Sequence, residues 1–423
     1  MTSSATPTAP LFSGLQRQCH LLLTLYLPDN ALSLDALCQL NGVEPALARQ
    51  DIAEVAEKIQ RYHQLDLLPH QDGHFQLRGA ELARRLCLMH WLRRALRVSP
   101  DFVWQHFAPA LRQTLRTRQI EKAIYDEKNL QALIQHCSAH LQRDFNPRDR
   151  HFLQLFMQYS LCQQTPATFT EPQQRWLADK SERAAAEKVV SHWQKRCRHA
   201  PDTSEIDFYT LIFSLIHAPT AETIQHHREQ RLMEDIRLLI QRFQTLAGMH
   251  FCDEQGLSQQ LYTHMSQALD RSHFAIGIDS NLTEEVTRLY PRLLRTTRAA
   301  IDAFETHYAV RFTREELVLI AVIFGAWLMQ ENTLQEKQVL LLTGGDPALE
   351  KEIEQQLREL TLLPLNIKFQ TMHAFQHQGA PKGIALVISP YATPLPLYSP
   401  PLIHAELPLS DHQQHRIRTL LES

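Results

Sequence analysis

The side chains of this chain that could do chemistry are mainly histidines: there are twenty-three in 423 residues, alongside seven cysteines. Imidazole binds metals, moves protons near neutral pH and acts as a nucleophile. A metal site needs several such ligands converging at fixed spacing. His373 and His377 stand four apart, the spacing of one helix face, and His70 and His74 repeat it. Neither pair is read as having an acidic or thiol third ligand, and no HExxH occurs. The cysteines (Cys19, Cys38, Cys87, Cys137, Cys162, Cys197, Cys252) are odd in number and form no CxxC pair. That usage fits reduced thiols in a cytosol, not a disulfide frame or a zinc cluster. The nucleophile-elbow, P-loop and dinucleotide-binding glycine patterns are all missing. The reading is of a cytoplasmic protein that is not an enzyme, with no catalytic residues, metal or cofactor.

The elements that would position a histidine are mostly helices. The stretch TREELVLIAVIFGAWLMQEN (313–332) holds thirteen residues, Leu317 to Met329, without a polar side chain. As a helix the run rises only about 20 Å, short of a bilayer core of roughly 30 Å. Glu315, Glu316 and Glu331 flank it, so a buried core helix is expected and no membrane span. Composition agrees with a globular chain: 44% hydrophobic, 21% charged, net charge −3. The length implies about three or four domains. Residues 1–13 read as a tail, Ser/Thr/Pro-rich and without the order of a signal peptide.

From 14 to 100 the pattern is helix, helix, turn, helix, hairpin, then a long basic helix. Ser33 is placed to cap the second helix and Pro45 to open the third. The hairpin turns at His70–Gly73. This is the order of a winged helix-turn-helix. Charge opposes strong DNA binding. Residues 14–80 carry five basic side chains against eight acidic ones, and DNA affinity rests on neutralising phosphates. Arg49 is well placed on the third helix. The next helix adds Arg84, Arg85, Arg93, Arg94 and Arg97, a basic stripe expected to supply most of any DNA contact.

Residues 100–335 read as helices, with one unit present twice. EIDFYTLIFSLIHA starts at Glu205 and ELVLIAVIFGAWLM at Glu316, and seven residues after each acid comes the same pair, Ile212–Phe213 and Ile323–Phe324. A duplication with a period near 110 residues accounts for this. After Lys337, strands alternate with helices (QVLLLTGGD, PALEKEIEQQLREL, PLNIKFQ, ALVISPY), which predicts a small α/β domain with a largely parallel sheet. Asp346 and Asp411 are the expected helix caps there.

Together these segments resemble bacterial transcriptional regulators that carry PTS regulation domains (PRDs). FQLRGAELARRL resembles that family's exit from the wing, LYTHMSQALDRS the first-histidine helix of a PRD, and LYPRLLRTTRAAIDAFE and EELVLIAVIFGAWL its later helices. The resemblance implies a mainly α chain: a winged helix-turn-helix at 14–100, a degenerate PRD-like bundle at 101–224, a second at 225–335, and an α/β domain like a phosphotransferase enzyme II B component at 336–423. It implies DNA and sugar-phosphotransferase proteins as partners, and a homodimer. Degeneration into a protein-interaction module is the alternative.

The resemblance also marks acceptor positions. They fall on Gln158 and Ile212 in the first bundle, His264 and Ile323 in the second, and Thr343 in place of the B domain's cysteine. Isoleucine has no nucleophile, and a threonine hydroxyl is far weaker than a thiolate. His264 is left as the phosphorylation candidate. Arg271, seven residues on, is the candidate to pair with phosphate.

Overall fold

The computed structural model describes residues 11–28, 32–195, 202–216, 220, 223–280, 282–331, 337–362, 365–396 and 399–422. The expectations for Met1–Pro10 and for Cys197 lie outside them. The chain is mainly helical, with a small α/β region at the C-terminal end. It divides into two compact units, 1–229 with 269–279, and 230–268 with 280–423.

In the first unit, α1 (Gly14–Tyr26) begins at a capping box in which Ser13 and Gln16 satisfy each other's backbone amides. Ser33 caps α2 (Leu34–Asn41), and Gly42 ends it at φ 62°, a conformation that costs glycine nothing. Pro45 opens α3 (Pro45–His63). Strands β1 (Asp66–Pro69) and β2 (Phe75–Arg78) pair antiparallel, with Leu67 opposite Leu77. α4 (Glu81–Val98) buries Leu82, Leu86, Trp91, Leu92 and Leu96. Each such side chain contributes roughly 1.5–3 kcal/mol when removed from water. The described elements from Pro100 to Ile216 are all helical, and their core includes Phe152, Phe156, Phe208 and Phe213.

Segment 269–279 packs within this unit. Asp270 is fully buried and accepts from Trp176 Nε1 (2.8 Å) and pairs with Lys180 Nζ (2.8 Å), while His273 stacks on Trp176 at 3.8 Å. The amide of Gly277 donates to Tyr62 O at 3.0 Å. A Cβ at 277 would stand 2.8 Å from Tyr62 Cα, so the approach requires glycine.

The second unit holds the helical segment ending in the apolar run. Helix Arg314–Glu331 buries Val318, Ile320, Ala321 and Phe324, and Phe324 stacks on Phe243 at 4.0 Å. The run is less buried than expected. Val322, Ile323, Ala326 and Trp327 are half-buried and Met329 is 48% exposed. An all-apolar helix offers more surface than its neighbours in this unit cover. Among the described residues no helix is long and apolar enough to cross a membrane.

The C-terminal part is a parallel sheet in the order β4-β3-β5-β6, from β3 (Lys337–Thr343), β4 (Leu365–Thr371), β5 (Ile384–Ser389) and β6 (Leu402–His404). Val339, Leu341, Leu386 and Ile388 share a core with helices Pro347–Leu360 and Asp411–Glu422. Asp346 caps the first of these by accepting from Leu349 N at 3.1 Å. The second is capped by Ser410 instead of the expected Asp411, through a reciprocal pair of hydrogen bonds with Gln413.

Candidate functional site

His264 sits on helix Glu254–His273, in the portion that belongs to the second unit. Leu257, Leu261, Met265 and Ala268 form the buried face of that helix and fix the ring's position beside helix Arg314–Glu331. The His264 side chain is 18% exposed, and its Nε2 lies 3.2 Å from Oε2 of Glu316, whose side chain is 4% exposed. Nε2 itself is buried and makes no aligned hydrogen bond, so the contact is close but not a directed bond. Glu316 sits in the first turn of its helix, where Thr313 Oγ1 accepts from its amide at 3.3 Å. One turn before the histidine, Gln260 Oε1 accepts from Trp327 Nε1. The sequence reading missed Glu316 as a site residue. Its signal was available: it is the acid seven positions before Ile323.

Arg271 lies in the part of the same helix that belongs to the first unit and is half-buried. Ile323, at the second acceptor position, is half-buried on the helix that carries Glu316. In the first bundle both positions are core: Ile212 is fully buried, and Gln158, 1% exposed, donates to Tyr125 O at 3.0 Å. The acid matching Glu316 there is Glu205, which pairs with Arg85 at 2.6 Å.

Thr343 ends β3, and the following loop is occupied by its own side chains. Glu350 Oε1 accepts from Gly344 N at 2.8 Å and Gly345 N at 3.4 Å, and from the Tyr391 hydroxyl at 3.1 Å. The carboxylate over the loop amides is therefore that of Glu350, while Asp346 serves as the cap.

Four of the five arginines of the basic stripe, Arg84, Arg85, Arg93 and Arg94, are held in ion pairs. Arg85 is 1% exposed and sits between Glu81 (2.9 Å) and Glu205 (2.6 Å). Arg84 reaches Glu81 at 3.5 Å, Arg93 reaches Asp149 at 3.2 Å, and Arg94 reaches Asp279 at 3.1 Å while covering the Trp91 ring. Arg85 cannot meet a phosphate, which corrects the expectation that all five contact DNA. The reason lies in partners far along the sequence. Arg97 and Arg49 are exposed. A second correction concerns His70 and His74, which flank the hairpin turn and do not share a helix face. Asp72 stands between them, 3.0 and 3.1 Å from their Nδ1 atoms, so an acidic neighbour is present after all.

Comparison with known proteins finds two family matches and one full-length relative. Residues 237–327 match the PRD domain family, and residues 337–421 match the C-terminal domain of the stationary phase-inducible protein CsiE. The stationary phase-inducible protein CsiE of Escherichia coli (strain K12) is 49% identical over 427 aligned residues, covering all of both chains.

Proposed function

We propose that this chain, which belongs to the family of the stationary phase-inducible protein CsiE, is a PRD-type regulator that receives a phosphoryl group from the sugar phosphotransferase system at His264 alone. The observation that supports this is the partly open imidazole on the PRD segment, set against a buried carboxylate. The matching positions hold Ile323, Ile212, Gln158 and Thr343. The test is to incubate the full chain with the general phosphotransferase proteins and labelled phosphoenolpyruvate. The wild type takes up label and His264→Ala does not. Label that survives in the variant overturns the reading.

Its output unit is α1 to β2, read as a winged helix-turn-helix in a homodimer, with α3 as the helix facing DNA. The ion-paired stripe makes that contact weak and favours a second reading, in which a protein partner receives the signal. Labelled duplex titrated at rising salt separates the two. With Arg49 and Arg97 the exposed arginines among the six candidates, the salt slope is expected to be shallow, about two to four counterions. Arg49→Ala and Arg97→Ala should each lower it by about one. Tight, sequence-specific binding with a slope of about eight would restore a strong DNA reader.

A further inference from the structure

We infer that the reactive edge of His264 is Nδ1, and that Glu316 is a positioning residue that keeps the ring's proton on Nε2. The inference deepens the phosphoryl-acceptor reading and rests on it for the donor. A histidine has two nitrogens that can attack phosphorus. The ring is 18% exposed, yet Nε2 is buried, 3.2 Å from Glu316 Oε2. A carboxylate oxygen facing an unprotonated ring nitrogen sets two lone pairs against each other at low dielectric. A proton on Nε2 makes the same contact attractive. The neutral ring is then the Nε2–H tautomer, and its lone pair is on Nδ1. A donor arriving from solvent cannot reach Nε2 without displacing Glu316, which is 3% exposed and fixed in its helix's first turn.

The transfer balances without a further reactant. The Nδ1 lone pair of His264 attacks the phosphorus of a phosphohistidine donor. The donor's P–N bond breaks, and its electron pair returns to the donor ring nitrogen. His264 keeps its Nε2 proton and becomes a phosphoimidazolium whose ring charge faces Glu316. The first bundle offers the comparison: the matching acid, Glu205, faces Arg85, a permanent cation. In the second bundle the acid faces a ring that gains its positive charge on substitution.

Two measurements on the full chain test this. Ring 15N NMR, with His264 assigned by its loss in His264→Gln, is expected to show a protonated Nε2 and a lone-pair Nδ1. After the phosphotransferase incubation, isomer-specific phosphohistidine antibodies should detect the Nδ1 isomer. In Glu316→Gln, which keeps the cover over Nε2 but removes the charge, the ratio of Nε2–H to Nδ1–H tautomer read by ring 15N NMR should fall by about tenfold, the effect of losing one charge-assisted contact. A lone pair on Nε2, or the Nε2 isomer as main product, overturns the inference. An unchanged ratio in Glu316→Gln overturns the role of Glu316. An unlabelled wild type with an Nε2–H ring rejects the acceptor reading while upholding the ring geometry.

Discussion

Replacing Arg85 with alanine is expected to destabilise the first unit by about 3–5 kcal/mol, the cost of leaving a buried charge without its partner. Arg85 is 1% exposed, its guanidinium bonds both Glu81 and Glu205, and it also donates to Thr165 O at 2.8 Å. Burial raises the carboxyl of Glu205 and Arg85 opposes that shift, so removing the guanidinium leaves the burial of the acid unopposed by its nearest cation. Amide exchange across α4 should accelerate by more than about 100-fold. Arg85→Met with Glu205→Gln removes the Arg85–Glu205 pair while Glu81 keeps Arg84 at 3.5 Å, and should recover more than half of the loss. Unaltered exchange in Arg85→Ala would mean the pair contributes nothing to the fold.

Mild acid should loosen the same unit. His63 and His90 pack with ring centroids 5.4 Å apart. Burial, aided by Arg94, holds His63 at about 4 and His90 at about 3, against the ordinary 6.5. The folded state thus keeps both neutral where the unfolded chain binds protons. The stability they contribute is present above pH 6.5 and is lost as pH falls, through the window down to about 4 for His63 and about 3 for His90. Each histidine lowers stability by about 1.4 kcal/mol per pH unit, about 2.7 for the two. His20 and His273 are lowered too and add in the same direction. Denaturant midpoints at about pH 7.5 and about pH 5.5 measure the slope, which His63→Gln with His90→Gln should flatten. An equal slope in wild type and variant would refute the assignment.

Local order was legible in the sequence because local chemistry sets it. Ser33, Pro45 and Gly73 punctuate the first elements as expected, and the β-strand and helix alternation after Lys337 gave a parallel sheet. Strand β6, three residues after a proline-rich loop, carries too little pattern to be read. What pairs across the fold was not legible. Arg85 and Glu205 lie 120 positions apart, so a stripe spent on ion pairs looks in sequence like a solvated or DNA-facing one. Glu316 reads as a solvating flank of an apolar run until the fold turns it toward His264. The same run looks wholly buried in sequence, although its Ile323 and Trp327 are only half-covered.

The most direct test of the central claim is the phosphoryl stoichiometry of the full chain after incubation with phosphoenolpyruvate and the general phosphotransferase proteins, read by intact mass at alkaline pH. The mass of a single phosphoryl group is expected on the wild type, mapped to the peptide containing His264, and none on His264→Ala. Two or more groups, or one group on any other of the twenty-three histidines, would contradict it.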